Sequence, residues 1–549
     1  MTPSKYILSN EANCKYCYKC LRNCPVKAIS FKDNYSFVVE EECVICGTCV
    51  NVCPQNAKNY RKDLEKFERL INKPFVVSIA PSFFGNFDNP FKVLGFIKKL
   101  GAVYISETAV GAEFVTQEYK SIYESSSKPL ITTSCPVVVR LVELYYPNFI
   151  RNLFSVVSPA IAHARFLEHL FGDIPKVFIG PCIAKKEELE DVYNVVFTFK
   201  ELEAFIRSMN VDVSNHEERI PDPPYPDKSR MYPMSGGILY SADENAYRHI
   251  VLEGTKNIME FLEKFNNVDS EKVIIEASAC VGGCLNGPAS DNKVSVWEKR
   301  RRINHASKII REKASDKALS IKNYNLSLKR QFVNRYKENY VPVNEIEKIL
   351  IAMGKTSPEK ELNCTGCGYE TCREKAKAVY LGKAEKEMCF AYLIEKVSSV
   401  SNKVVDESPN AIVIFKDDRI LYINTSAKEL FKNYTEETIL EISERIYNDS
   451  ERVQELYING KRMYFYPKTF QLPEESGKVV LFVDITDMVV QRERMDNLKR
   501  QTIEKIEEVL NNQMKLAQDI ASLLGESIAE TKSHFLEFKK HMGEDNVDM

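Results

Sequence analysis

Sixteen cysteines constrain this chain more than any other feature, because they fall into four groups of four. Cys14, Cys17, Cys20 and Cys24 follow C-x2-C-x2-C-x3-C with Pro25 behind the last, and Cys43, Cys46, Cys49 and Cys53 repeat the spacing with Pro54. Three thiolates so close in sequence wrap three corners of one [4Fe–4S] cube, and the fourth crosses to a second cube. Cys14, Cys17, Cys20 and Cys53 are therefore expected to hold one cluster, and Cys24, Cys43, Cys46 and Cys49 the other. Four thiolates also suit a structural zinc ion, but the doubled motif ending in proline favours clusters. Two clusters at such close quarters would form an electron relay.

Disulfides are the other use for so many cysteines. Residues 1–13 have no apolar signal-peptide core and no twin arginine, and no run approaches the ~18 uncharged apolar residues of a membrane span. The expected setting is cytoplasmic and free of membrane, where thiols stay reduced and metal is the better explanation. The net charge of −2 gives no reason to expect nucleic acid, and the basic run at 299–302, continuing to 313, reads as a solvated helix face. A chain of 549 residues, 44 % apolar and 28 % charged, should form several cored domains.

The pattern is multidomain, mixing α/β and α+β. Residues 1–62 are short, turn-rich and resemble a bacterial two-cluster ferredoxin domain. Residues 70–315 alternate apolar runs with amphipathic stretches, which is α/β patterning. Residues 316–360 read as a helical connector, and 361–395 as a small [4Fe–4S] domain. Short alternating strands fill 398–487, and 488–542 form one long amphipathic helix.

In the α/β region four cysteines lie far apart. They sit in Thr132-Thr133-Ser134-Cys135-Pro136, in Gly180-Pro181-Cys182-Ile183-Ala184-Lys185-Lys186, and in Glu276-Ala277-Ser278-Ala279-Cys280-Val281-Gly282-Gly283-Cys284. The residues alone leave a metal site and inert buried cysteines both open. These three segments resemble the signature loops of [FeFe]-hydrogenases in order and separation, with supporting matches at Ser78-Ile79-Ala80-Pro81-Ser82 and Met234-Ser235-Gly236-Gly237. The resemblance implies that Cys135, Cys182, Cys280 and Cys284 hold a cube, and that Cys284 bridges it to a diiron unit with CO, cyanide and a dithiolate. It places Pro81, Ser82 and Lys185 around that unit, Lys185 against a cyanide. Neighbouring Lys186 reads as a surface lysine.

The departures from that family matter. The position of its proton-passing cysteine is Ser134, and its methionines beside the second and third loop cysteines are Gly180 and Ser278. Tyr119 and Ile122 stand near where its acidic proton path is expected. A hydroxyl is a poor relay near neutral pH, far above a thiol's ~8.5. Slow turnover is therefore expected, and Ser134, Lys185, Gly180 and Ser278 are the candidate catalytic positions.

The last group, Cys364, Cys367, Cys372 and Cys389, resembles a small [4Fe–4S] module, with 381–388 expected as the helix that returns Cys389. Zinc remains the alternative. Residues 398–487 resemble a PAS domain through Glu407-Ser408-Pro409-Asn410-Ala411 and Asp484-Ile485-Thr486. The segment has no His, Cys or Trp, so a transmitter is expected rather than a haem or flavin sensor. In the final helix Met495, Leu498, Thr502, Ile506, Val509, Gln513, Leu516, Ile520 and Leu523 alternate three- and four-residue steps, a heptad-like seam such as a parallel coiled-coil homodimer would show, with a plain amphipathic helix packed on its own domain as the alternative.

The whole resembles the sensory, PAS-containing branch of the [FeFe]-hydrogenases. That implies four [4Fe–4S] clusters plus the diiron unit. It also implies H2 and protons as ligands, a redox partner such as ferredoxin, and a separate kinase, phosphatase or regulator as output. A metabolic ferredoxin-linked hydrogenase and a scaffold lacking the diiron unit are the alternatives.

Overall fold

The computed structural model describes residues 2–32, 35–242, 248–265, 272–314, 324–473 and 477–541. It divides into two compact units, Met1–Leu393 and Ile394–Met549.

The first unit begins with two antiparallel ribbons, Ile7–Ser9 with Lys58–Tyr60 and Ile29–Lys32 with Tyr35–Val38. Two one-turn helices, Lys19–Asn23 and Thr48–Val52, pack on each other. The cysteine repeat is also a backbone repeat. Tyr16, Tyr18 and Lys27 have positive φ, and so do Ile45, Gly47 and Asn56, each 29 residues later. The one glycine among them has a reason. A Cβ on Gly47 would stand 2.7 Å from Pro288 Cβ and 2.8 Å from Ile183 Cδ1, so the second half-repeat is pressed against the α/β region.

That region holds a four-stranded parallel sheet in the order Ala102–Glu107, Phe75–Ile79, Lys176–Gly180, Val195–Thr198. A second parallel sheet joins His249–Glu253, Ile274–Ser278 and Leu130–Ile131. Helices such as Ala109–Ser125 and Pro159–Phe171 pack on these strands, and Phe75–Ile79 is buried at every residue. The arrangement decides where chemistry can sit. Cys135, Cys182 and Cys280 each follow the carboxyl end of a parallel strand, as do Pro81 and Ser82, and ligands of parallel sheets gather at those ends.

The connector is less helical than its sequence suggests. Residues 316–323 lie outside the described residues, and helix is confined to Val343–Ala352 with a short turn at Pro358–Lys360. Residues 324–335 instead form no helix, and 328–330 run beside 155–157, with Leu328 buried and Val156 bridged to Lys329. The 381–388 segment also differs. The helix is Cys372–Tyr380, started by a Thr371–Glu374 capping box, and only Lys386–Met388 makes a 3-10 turn.

The second unit is a five-stranded antiparallel sheet in the order Arg419–Ile423, Ala411–Lys416, Lys478–Asp484, Lys461–Gln471, Gln454–Ile458. Helix Glu436–Asn448 covers a core of Val413, Phe415, Ile446, Phe465, Val480 and Phe482. Helix Thr486–His541 follows, and its side chains from 491 to 540 are exposed, Leu498, Ile506, Val509 and Ile520 among them. The expected helix end at 542 lies outside the described residues.

Candidate functional site

All sixteen cysteines are free thiols. Cys14 and Cys53 are the thiols whose charge bears on Cys20, which burial pushes up to about 11. Cys46 bears on Cys24, which burial raises to about 12, and Cys43 and Cys49 are raised by burial and by Cys46 and Cys24. Around Cys367, burial dominates again, with Cys389 and Cys364 as neighbours and the Lys375 ammonium opposing them.

In the α/β region Cys280 is raised by burial and then by Cys182, Cys135 and Cys284, so three loops and a turn converge. Cys135 is the residue before helix Pro136–Tyr145, and Cys284 lies in the turn Gly283–Asn286. Buried Lys299 donates from Nζ to Leu285 O at 2.9 Å, which pins that turn. Glu276 accepts the N–H groups of Gly236, Ile238 and Leu239 at 2.8, 3.1 and 3.0 Å and so ties the 234–237 loop to the strand carrying Cys280. Burial pushes the Glu276 carboxyl up to about 7 against the pull of those three donors.

Beside these thiols lies a cavity of about 90 Å3, lined by Pro81, Ser82, Ser134, Cys182, Lys185 and Cys284 among others. Gly180 and Ser278 do not line it. A Cβ on Gly180 would meet the Phe178 ring at 2.6 Å, so that ring fills the space a side chain there would use. Ser278 ends its strand and takes Gly254 N–H on its carbonyl. Lys185 Nζ donates to Ser158 Oγ at 3.0 Å and is paired with Glu188, which also holds Arg330 at 3.2 Å. Ser134 Oγ is 3.4 Å from Tyr119 Oη, which lies 3.1 Å from Thr133 Oγ1 and accepts Thr133 N–H at 2.9 Å. Burial raises the Tyr119 hydroxyl above its ordinary range.

Lys186 is not a surface residue. It is fully buried, donates to Val196 O at 2.6 Å and pairs with Glu201 at 3.0 Å and Asp63 at 3.5 Å. Two carboxylates offset the cost of burying its charge. Sequence reading also passed over Glu188 and Glu276. Glu188 stands one helical turn after Lys185, a spacing that signals a pair, and Glu276 lies inside the third cysteine segment.

The donor set fits clusters. Four thiols per site supply the ligands that a cube requires. Among the described residues no three Cys, His, Asp or Glu side chains close on a single-ion position. Cys135, Cys182, Cys280 and Cys284 share one neighbourhood. The cavity fits a further polar group as well, because Ser82 Oγ is buried in its wall with no hydrogen-bond partner.

The groups also adjoin one another. Cys46 and Cys280 line one cleft of about 360 Å3. The last group docks on the first domain, where Arg22 Nη1 donates to Gly366 O at 3.1 Å and Phe31 N to Lys383 O at 2.8 Å. Gly368, at φ +96°, has its Cα over Leu21, leaving no room for a Cβ.

Three segments of the chain match known families. Residues 73–288 match the family described as iron only hydrogenase large subunit, C-terminal domain. Residues 37–59 match a 4Fe-4S binding domain and residues 361–390 a putative Fe-S cluster family. Iron hydrogenase 1 of Clostridium pasteurianum is 22 % identical over 350 residues, covering 49 % of this chain and 61 % of that protein. The nuclear prelamin A recognition factor of Danio rerio is 26 % identical over 173 residues, 25 % of this chain and 36 % of that protein. The chain thus spans about three fifths and about one third of these curated relatives. An [FeFe]-hydrogenase solved in a study of stepwise H-cluster assembly is 14 % identical with a TM-score of 0.37, over 50 % of this chain and 100 % of that one. A variant of the Chlamydomonas reinhardtii [FeFe]-hydrogenase is 15 % identical with the same score, over 50 % and 100 %. This is an iron–sulfur protein with a ferredoxin-type 4Fe–4S domain and an [FeFe]-hydrogenase-type domain. Among the described residues no helix is long and apolar enough to cross a membrane.

Proposed function

We propose that the chain is a cytoplasmic hydrogen sensor, a slow [FeFe]-hydrogenase whose redox state is passed to a PAS-type domain and on to a separate partner. The observation that carries this reading is the meeting of Cys135, Cys182, Cys280 and Cys284 beside a cavity lined by Pro81, Ser82, Ser134 and Lys185. Those four cysteines would hold a cube, with Cys284, on the cavity wall, bridging to the diiron unit. Bound there, the cofactor supplies the reversible chemistry of H2 with protons and electrons.

The chain's own residues account for the slowness. Ser134 is the polar group at the cavity wall that would move a proton, and its hydroxyl neighbour is Tyr119. Neither hydroxyl changes protonation near neutral pH, and burial takes Tyr119 further from it. Glu188 holds the Lys185 ammonium, which fixes a positive charge at the wall. The Phe178 ring and the prolines Pro81, Pro159 and Pro181 give the cavity an apolar wall.

Electrons have a continuous set of stations. Cys280 faces Cys46 across the shared cleft, and the first domain in turn abuts the last cysteine group. The second unit would receive the signal, and the exposed seam of its final helix would pair two copies and present them to a kinase, phosphatase or regulator.

The test is turnover of the matured chain. Hydrogen uptake should be slow, and Ser134→Cys should raise it about 100-fold, the lower end of what a positioned proton donor contributes. Brisk turnover by the unaltered chain would select the metabolic reading.

A further inference from the structure

The two halves of the ferredoxin-type domain follow one backbone plan but differ at one buried position. Five residues after Cys53 stands Lys58, and five after Cys24 stands Ile29. Both are buried, Lys58 at 3 % exposure and Ile29 at 1 %. Lys58 Nζ donates to Ser9 Oγ at 2.7 Å, Ser36 O at 2.8 Å and Ser36 Oγ at 2.9 Å, so its three protons are spent on neutral acceptors. Among the described residues no carboxylate is paired with it. A buried charge without a counter-ion is costly, so an anion belongs beside it. The thiols whose charge it feels are Cys20, Cys49, Cys14 and Cys53, three of them from the first set.

A direct link reaches one ligand. Ser36 Oγ accepts a hydrogen bond from Lys58 and lies 3.4 Å from Cys14 Sγ, which leaves the serine's own proton free for that sulfur. The second set also has a hydroxyl at a ligand sulfur, Thr48 Oγ1 at 3.2 Å from Cys46 Sγ, but among the described residues no buried ammonium donates to it. The cations acting on that set are half-exposed Lys27 near Cys24, Arg140 near Cys43, which is already paired with Glu187, and Lys58 itself at the single thiol Cys49.

We infer that Lys58 is a positioning residue for charge, which raises the reduction potential of the cluster on Cys14, Cys17, Cys20 and Cys53 above that of its neighbour on Cys24, Cys43, Cys46 and Cys49. The inference rests on the iron–sulfur reading of these eight cysteines. A buried positive charge and a hydrogen bond to a ligand sulfur both favour the reduced, more negative cluster. One electron moves between the clusters, one being oxidised and the other reduced, with no bond made or broken. The cluster beside Cys280 therefore passes its electron outward, and the Lys58 cluster retains it.

The test is a redox titration of the full chain, reconstituted anaerobically with iron and sulfide and followed by electron paramagnetic resonance. Lys58→Met should shift one midpoint down by more than any other, and Lys58→Arg should restore it. Should Lys58→Met lose iron, Ser36→Ala serves, which keeps the ammonium and should shift the same midpoint down by less. Midpoints unmoved in an iron-replete Lys58→Met chain, or in Ser36→Ala, would overturn the inference. An unaltered chain that binds no iron at these eight cysteines would overturn the reading beneath it.

Discussion

The two units bury different things. Inside the first lie Lys58, Lys185, Lys186, Arg230, Lys299 and Lys375, with Glu107, Glu201 and Glu276. Inside the second, among the described residues, the buried polar side chains are Asn424 and Ser443. Asn424 shows how little that unit leaves unpaired. Its Oδ1 accepts Ile412 N–H and Ala427 N–H, and its Nδ2 donates to Val405 O and Asn410 O. A domain that only has to fold can close around an apolar core. The first unit keeps cations in its interior: carboxylates balance Lys185, Lys186 and Arg230, whereas Lys58 and Lys375 lie against thiols.

Removing iron should break this symmetry most visibly. Anaerobic chelation of the reconstituted chain is expected to strip hydrogen-exchange protection from residues 2–32, 35–60 and 364–389, where buried thiols have no other counterpart. Strands Ala411–Lys416 and Lys478–Asp484 should keep theirs. Protection lost in the second unit, or kept in all three cysteine segments, would erase the contrast.

A smaller effect separates the units by pH. His163 is fully buried between Ser78 Oγ at 2.7 Å and Ser106 Oγ at 3.2 Å, and burial lowers it from 6.5 to about 3. The depressed value means that neutral His163 contributes stability above pH 6.5, which is lost as pH falls toward 3. At pH 5.5 the loss should be about 1.4 kcal/mol relative to pH 7.5. Thermal unfolding of the first unit should show it, and His163→Gln should flatten that slope. The sheet of the second unit has no histidine and should not respond.

Much of the first unit was legible because cluster ligation writes itself into spacing. The expected crossed sharing of Cys24 and Cys53 is read from the C-x2-C-x2-C-x3-C repeat alone. The strands around Val413 and Val480 follow from alternation. What stayed hidden was burial of charge. Among 75 Lys and Arg, nothing local marks Lys58, Lys186 or Lys375 as interior, because each is stabilised by groups distant in sequence. Ser36 meets Lys58 across 22 residues, and Asp63 meets Lys186 across more than a hundred. The path of 328–330 was hidden for the same reason, since it is fixed by the 155–157 segment it runs along and not by its own propensity.

The central claim is that a diiron unit sits beside Cys284, and infrared spectroscopy of the chain after maturation tests it most directly. The account predicts bands from CO and cyanide bound to iron, together with about 18 iron atoms per chain, four cubes and one pair. A matured chain with about 16 iron atoms and no absorption in that region would contradict it.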